Sequence, residues 1–235
     1  MAVRAADFAA ARIRAAIAAN GEARVIFASA ASQLEFIDEL LRRADIEWDK
    51  VCGFHLDEYV GLPESHGASF RRFLKERLIA KLPRPVKSFT FVCGDAPDVA
   101  AELMRLEAAV REKPIDLACI GIGENGHIAF NDPPADFEAK SAYAVVELDR
   151  VCRMQQVGEG WYPDLAAVPT HAFSMTVPQI MSAKSIAVIV PDERKAKAVS
   201  MAVDGPLTNM CPSSILRNHP DCVLFLDGPA ASLLK

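Results

Sequence analysis

The stretch DLACIGI, residues 116–122, is apolar after its first residue and runs into glycine-rich sequence. A short apolar run of this kind is typical of a strand in a parallel sheet that helices cover on both faces. Two further runs have the same character, RVIFA at 24–28 and SIAVIV at 185–190. We therefore expect these three segments to be buried strands of one mostly parallel sheet.

Helical and extended patterns alternate around these runs. Further strands are predicted at 51–55, 88–92, 143–148, 172–176 and 222–226. Helices are predicted at 1–19, 33–43, 69–80, 97–111, 178–181 and 193–203. This alternation indicates βαβ units. Because we find no linker or internal repeat, we predict a single domain over 1–235 with an α/β, three-layer Rossmann-like fold and a mostly parallel central sheet.

Composition excludes several classes of protein. The formal net charge of −5 argues against non-specific binding to nucleic acid or to a membrane. No apolar run is long enough to span a membrane, and the N-terminal segment lacks the layout of a signal peptide. The six cysteines show no metal-binding spacing, so buried reduced thiols are expected and no metal site is predicted. We expect a cytoplasmic protein.

Ligands of open α/β sheets bind beyond the carboxyl ends of the strands. After the strand at 51–55 come two adjacent carboxylates, Asp57 and Glu58. In an extended segment they point to opposite sides, so only one can face a given pocket. A solvated acidic turn is the alternative interpretation.

The segment GENGHIAFNDPP, residues 123–134, follows the apolar strand DLACIGI. Its glycines permit tight turns close to a ligand, and residue 127 is a histidine, the residue type most often used as a general acid or base. Asp132 follows five residues later, and a histidine with a nearby carboxylate suits general acid–base catalysis. The alternative is a glycine-rich turn in which His127 caps backbone groups. The glycine spacing is not that of a dinucleotide fingerprint or a P-loop.

Two other strand ends carry groups that suit an anion. Ser29 to Ser32 open a helix after the first strand, and free N–H groups at a helix N-terminus bind phosphate. Lys195 falls in the first turn of the helix after SIAVIV, where a cation opposes the helix dipole. The alternatives are that Ser32 is only an N-cap and that Lys195 is only solvated.

Two motifs resemble the signature segments of the glucosamine-6-phosphate deaminases. They are HLDEYVGL at 55–62 and GIGENGHIAFNDP at 121–133. The Lys195 segment and DGPLTNMCPSSILRNHP at 204–220 are also similar to that family. The resemblance covers most of the chain, and the wider superfamily includes 6-phosphogluconolactonases.

The resemblance implies a role for each motif residue. Asp57 matches the base that moves a proton between C2 and C1 of the opened sugar, and His127 matches the acid–base group that opens the ring. Asn125 and Asp132 match the residues that orient this histidine. The implied substrate-binding residues are Ser29, Ala30, Ala31, Ser32, Glu58, Gly126 and Lys195.

The chain departs from the family at several positions. The phosphate loop is SAAS, whose alanine Cβ atoms restrict positive φ, where many members carry glycine and threonine. Gln155 stands where members often have a phosphate-binding arginine. Asp132 is shorter than the glutamate of many members, so we expect its contact with His127 to run through water. Allosteric members carry basic residues in the stretch that matches 138–144, which here reads EAKSAYA.

The expected function is conversion of glucosamine 6-phosphate to fructose 6-phosphate and ammonia, without metal or organic cofactor. The expected partner is a phosphorylated amino sugar, and the expected assembly is a monomer or small homo-oligomer. Galactosamine-6-phosphate isomerase and 6-phosphogluconolactonase are the alternative activities. A non-catalytic sugar-phosphate-binding module is the alternative from another class, and the presence of Asp57 and His127 counts against it.

Overall fold

The computed structural model describes residues 1–158 and 160–235, without the side chain of Gln155. The described helices are α1 (Ala2–Asn20), α2 (Leu34–Leu41), α3 (Phe70–Arg77), α4 (Val99–Arg111), α5 (Arg150–Gly158), α6 (Val177–Met181) and α7 (Ala196–Asp204). The described strands are β1 (Ala23–Phe27), β2 (Val51–His55), β3 (Asp57–Tyr59), β4 (Ser88–Thr90), β5 (Leu117–Ile120), β6 (Tyr143–Glu147), β7 (His171–Met175), β8 (Ser185–Val190) and β9 (Cys222–Leu226).

The central sheet has the strand order β4-β2-β1-β5-β8-β9 among the described residues, and every neighbouring pair is parallel. The chain moves outward from β1 through β2 to β4 and then returns to the other side of β1 at β5. This reversal creates a crevice between the carboxyl ends of β1 and β5, where α/β sheets bind ligands.

Helices cover both faces of this sheet because alternate strand residues point to opposite layers. Val25 and Phe27 pack with α1, α2 and α3, whereas Ile26 packs with α4, α6 and α7. In β5, Leu117 and Ala118 divide between the same two clusters. The predicted three-layer α/β fold with its mostly parallel sheet is confirmed.

A second sheet departs from the sequence prediction. The segments predicted at 143–148 and 172–176 do form strands, but they pair antiparallel in the order β3-β7-β6. The first strand of this second sheet, β3, is only three residues long and begins at Asp57, which pairs with Ser174. The chain therefore passes from the parallel sheet to the antiparallel sheet at Asp57, the candidate catalytic residue.

Capping residues explain where two helices begin. Asp98 accepts a hydrogen bond from the backbone N–H of Ala101, so α4 begins after it and not at the predicted Pro97. Ser69 accepts from the N–H of Arg72 and caps α3 in the same way. Helix α5 was not predicted.

Candidate active site

A cavity of about 890 Å³ opens at the crevice between β1 and β5. Residues 28–33, which follow β1, line one side together with Lys195. Asp57, the first residue of β3, and His127, in the loop after β5, line the same cavity. The carboxyl edge of the parallel sheet thus brings together the acid–base and anion-binding candidates.

The adjacent carboxylates Asp57 and Glu58 face different surroundings. Asp57 lines the cavity, whereas Glu58 is fully buried and lies outside the cavity wall. The Glu58 carboxylate accepts hydrogen bonds from the Ser69 hydroxyl and the Arg71 N–H, each at 2.8 Å, and from the Tyr59 N–H at 2.9 Å. Glu58 therefore holds the start of α3 against β3 and does not face the cavity, unlike the substrate-binding role that the resemblance implies.

Burial and the neighbouring Glu58 raise the pKa of Asp57 well above its usual value. Burial also raises the pKa of Glu58, although its hydrogen bonds favour the charged form. A buried carboxyl beside a second one resists ionisation because the charged form loses hydration and meets a like charge. Such a group takes up a proton more readily than an ordinary aspartate, as a general base requires.

His127 is held by a hydrogen-bond network. Its Nδ1 lies 2.8 Å from Asp132 Oδ1, and the same oxygen accepts from Asn125 Nδ2 at 2.9 Å. Asn125 Oδ1 in turn accepts from the backbone N–H of His127, and Asp132 Oδ2 accepts from that of Asp149. The contact between His127 and Asp132 is direct, so the expected water bridge is wrong: the loop brings the shorter side chain close enough.

The pKa of Asp132 moves opposite to that of Asp57. Burial alone would raise it, but the hydrogen bonds from His127 and Asn125 outweigh burial and hold the pKa below its usual value. Asp132 therefore stays ionised and accepts the Nδ1 proton of His127. This leaves Nε2 as the ring nitrogen available to a ligand.

Two glycines and one asparagine shape the histidine loop. A Cβ on Gly123 would lie 2.1 Å from His127 Nε2, so only glycine leaves room for the ring. Gly126 has φ 87°, a conformation that favours glycine. Asn131 donates to the carbonyls of Ile128 and Met175, each at 2.8 Å, and so ties the loop to β7.

The proposed phosphate loop adopts ordinary backbone conformations. Ala30 is extended, with φ −147°, and residues 31–33 form a 3₁₀ turn before α2. Neither alanine has a positive φ, so their Cβ atoms are compatible with the loop. Gln33 lines the cavity beneath this turn and donates to the carbonyl of Ile189 at 3.2 Å, whereas its Oε1 has no protein hydrogen-bond partner among the described residues.

Lys195 is buried and lines the cavity. It ends a 3₁₀ turn at Glu193–Lys195 and precedes α7, so it lies just before the first α-helical turn in which it was predicted. Asp192 shapes this turn with φ 86° and accepts a hydrogen bond from the Arg194 N–H.

The predicted site residues fall into two groups. Asp57, His127, Lys195 and the loop Ser29, Ala30, Ala31 and Ser32 line the cavity. Asn125, Gly126 and Asp132 are absent from its wall and lie behind or beside His127. The departure predicted at Gln155 concerns a side chain outside the described part of the chain.

The family described as glucosamine-6-phosphate isomerases/6-phosphogluconolactonase matches residues 1–224. The chain belongs to this family. The resemblance inferred from the two sequence motifs is therefore confirmed, and the family is one of enzymes.

Members of the family resemble the chain over nearly its whole length. It is 36% identical to a glucosamine-6-phosphate deaminase of Listeria monocytogenes serotype 4a (strain HCC23) over 215 residues, 92% of this chain and 89% of the relative. A solved monomeric glucosamine-6-phosphate deaminase superposes with TM-score 0.87 and 28% identity, covering 99% of this chain and 95% of that one. The 6-phosphogluconolactonase of Trypanosoma brucei shares the fold, with TM-score 0.73 at 17% identity over 100% and 96% of the two chains.

The sequence analysis did not predict several residues of the candidate active site. Asp149 caps α5 through the Cys152 N–H and also accepts from Asn125 at 3.2 Å. Cys152 and Trp161 line the cavity from the unpredicted α5 region. An aspartate before a helical segment is an N-cap signal, but α5 itself is too polar to be recognised by periodicity.

One cluster in the site has the chemistry of a metal centre. His127, Asp132 and Cys152 each offer a ligand atom, and these atoms lie within 4.8 Å of one another. His127 and Asp132 are already bonded to each other, and burial raises the pKa of the Cys152 thiol. The absence of a metal stays a prediction.

In the described regions, no helix combines the length and the apolar character that crossing a membrane demands.

Proposed function

We propose that this protein isomerises and deaminates an amino-sugar phosphate, with glucosamine 6-phosphate as its substrate. The observation that carries the proposal is the shared cavity. Asp57 and His127 face a space that is also lined by the Ser29 to Ser32 loop and Lys195. The 36% identity to glucosamine-6-phosphate deaminases supports this substrate class.

His127 opens the sugar ring in this proposal. Its Nδ1 proton is held by Asp132, so Nε2 accepts the proton of the anomeric hydroxyl. The same nitrogen then returns a proton to the ring oxygen as the C1–O5 bond breaks. The product of this step is the open-chain aldehyde. Asp132 and Asn125 act as positioning residues, because they touch the histidine and lie outside the cavity wall.

Asp57 then moves the proton between carbons. Its ionised carboxylate removes the proton from C2, giving an enolate with its charge on the C1 oxygen and the amino group on C2, and then returns that proton to C1. One proton passes from the resulting C2 iminium nitrogen to the C1 oxygen, which leaves a neutral imine. The resulting C2 imine is hydrolysed by one water molecule, which releases ammonia and leaves the ketose. The raised pKa of Asp57 makes it a stronger base for this transfer than an exposed aspartate.

Lys195 and the loop after β1 bind the phosphate. The loop offers serine hydroxyls and backbone N–H groups, and Lys195 adds a buried positive charge. Lys195→Ala is expected to raise KM for the 6-phosphate much more than for the unphosphorylated sugar. Lys197→Ala is the matched control because Lys197 is an exposed lysine of α7 outside the cavity wall. Equal effects of Lys195→Ala on both sugars would remove it from the phosphate site.

Ammonia release is the decisive assay. Purified protein is tested with glucosamine 6-phosphate, galactosamine 6-phosphate and N-acetylglucosamine 6-phosphate, and separately with 6-phosphogluconolactone. We expect the fastest ammonia release from glucosamine 6-phosphate. A greater rate with galactosamine 6-phosphate would reassign the epimer. Lactone hydrolysis without ammonia release from any amino sugar would overturn the proposal.

We further propose that the chain acts as one domain, in the cytoplasm, as a monomer or small homo-oligomer, and without metal or organic cofactor. A similar structure is that of a monomeric deaminase, which supports the small assembly. Sedimentation velocity measures the assembly.

Dialysis against EDTA is expected to leave kcat unchanged, whereas loss of activity restored by Zn²⁺ would place a metal at the His127, Asp132 and Cys152 cluster.

A further inference from the structure

His55 lies directly behind the proposed phosphate loop. It is the last residue of β2, is fully buried and is not part of the cavity wall. Its ring lies between two polar groups: Nδ1 is 3.3 Å from the backbone nitrogen of Val92, and Nε2 is 3.3 Å from Ser29 Oγ. Ser29 itself lines the cavity. The imidazole thus connects a fixed backbone donor to a hydroxyl that faces the ligand space.

The backbone contact determines the protonation of the ring. Burial, together with the charge of Arg71, lowers the pKa of His55 to about 3, so the ring is neutral at physiological pH. A neutral imidazole has one donor nitrogen and one acceptor nitrogen. Because the Val92 N–H can only donate, Nδ1 must be the acceptor. The ring proton therefore lies on Nε2 and is donated to Ser29 Oγ.

The protonated Nε2 fixes the direction of the serine hydroxyl. Ser29 Oγ cannot donate to a nitrogen that already carries a proton, so its own hydrogen must point elsewhere. The cavity lies on the open side of Ser29. With the opposite tautomer, Ser29 would donate back to His55 and would present only lone pairs to the cavity. Lone pairs would repel the oxygens of an ionised phosphate.

We propose that His55 is a positioning residue that sets the Ser29 hydroxyl as a hydrogen-bond donor toward the substrate phosphate. The inference rests on the proposed function, because it requires the loop after β1 to hold the phosphate. The direction of the Ser29 hydroxyl also determines which ligand groups can bind at this point of the site. The Ser29 hydroxyl then offers a hydrogen-bond donor to a group that can only accept, such as an ionised phosphate oxygen, and disfavours a group that can only donate, such as an ammonium.

The tautomer can be measured on the wild-type protein, and a variant is needed only to assign the resonance. The chain has five histidines, so ring nitrogen spectra of ¹⁵N-histidine-labelled protein are simple enough to assign. We expect His55 to show a protonated Nε2 and an unprotonated Nδ1 both before and after addition of inorganic phosphate. A protonated Nδ1 in either state would overturn the inference. His55→Gln assigns the resonance by removing it.

A double-mutant cycle measures the coupling between His55 and Ser29. Affinity for inorganic phosphate is determined by calorimetry for the wild type, Ser29→Ala, His55→Leu and the double variant. A hydrogen bond of ordinary net strength predicts a loss of about 3- to 10-fold for His55→Leu in the wild-type background. The same change should cost nothing further in the Ser29→Ala background. His55→Gln, whose amide can donate in place of Nε2, should restore most of the affinity.

Enzyme kinetics separate positioning from general disruption. With glucosamine 6-phosphate, His55→Leu is expected to raise KM and to leave kcat nearly unchanged, because the proton-transfer groups are elsewhere. Equal losses from His55→Leu in both backgrounds of the cycle would mean a structural role only and would overturn the inference. If Ser29→Ala itself leaves phosphate affinity unchanged, the phosphate site of the proposed function fails instead.

Discussion

Two aspartates of the same cavity region, Asp57 and Asp132, both lose hydration through burial, yet their pKa values shift in opposite directions. Asp57 is buried as a whole residue, whereas Asp132 is only partly buried, although its side chain is just 7% exposed. The pKa of Asp57 is raised well above its usual value, whereas that of Asp132 is lowered. Burial penalises the charge of both carboxylates, so the neighbours must decide the sign.

The neighbours differ in charge and in hydrogen bonding. Asp57 adjoins the carboxyl of Glu58, while Asp132 accepts from His127 and Asn125. One carboxyl is therefore suited to take and return a proton, and the other to remain an anion that orients an imidazole. Active sites assign different acid–base roles to two like groups by giving them different surroundings, which separate their pKa values. The following substitutions test that division.

Removing the proton carrier should have the largest effect. Asp57→Asn keeps the shape of the side chain and loses the base, so isomerisation should fall by about 10⁴-fold, the upper end of general acid–base contributions. The measurement is kcat/KM for ammonia release, with deuterium incorporation at C1 in D₂O followed by NMR. Deuterium that still enters C1 at the wild-type rate would transfer the role to Glu58 or to a water-linked group.

Displacing the imidazole without changing it should have the second-largest effect. In Gly123→Ala the new Cβ would lie 2.1 Å from His127 Nε2, so the ring must move. We expect a loss in kcat of about 10²-fold, comparable to loss of one acid–base group. Gly67→Ala is the matched control because Gly67 also lines the cavity but has open space at its Cβ position. Similar losses in both variants would show that His127 does not act through its present position.

Neutralising the orienting anion should cost less. Asp132 uses both oxygens as acceptors, toward His127 and Asn125 on one side and the Asp149 N–H on the other. An asparagine can satisfy only one side, so Asp132→Asn should lower kcat/KM by about 10- to 10²-fold, the value of a hydrogen bond to a charged group. The loss should be confined to ring opening. The loss should shrink for a substrate analogue locked in the open-chain form, and an equal loss on that analogue would contradict the orienting role.

Much of this comparison could be predicted from the sequence. The runs DLACIGI and SIAVIV indicate buried parallel strands because helices cover both of their faces, and strand ends then locate Asp57 and His127. The opposite pKa values could not be predicted, because they depend on packing. The residues around Glu58 in the sequence do not indicate that its side chain points into the core toward Ser69 and Arg71.

The antiparallel sheet was missed for a similar reason. Strand β3 is three residues long, and its partner β7 is more than a hundred residues away, so the pairing depends on long-range register. His55 is equally hidden from sequence reasoning. It follows apolar residues in a buried strand, and only the positions of Ser29 and Val92 give it a role.

The last substitution, Glu58→Gln, sharpens the comparison without touching the cavity wall and should have the smallest effect on the maximal rate. In the proposed mechanism Asp57 must be ionised to take the C2 proton, so kcat/KM should fall as pH drops below the pKa of Asp57. Glu58 opposes that ionisation through its charge, and removing the charge lowers the pKa of Asp57. The acidic limb of the pH profile should therefore move to lower pH in Glu58→Gln.

A control separates charge from disruption of the same network. Ser69→Ala removes one hydrogen bond to Glu58 but retains the negative charge beside Asp57. It should not move the acidic limb to lower pH, even if it loosens the start of α3 that Ser69 caps. The comparison is made from kcat/KM profiles of the three proteins in one buffer series. An acidic limb unmoved in Glu58→Gln would mean that burial alone sets the titration of Asp57. Asp57 and Asp132 would then differ only through the hydrogen bonds that Asp132 accepts.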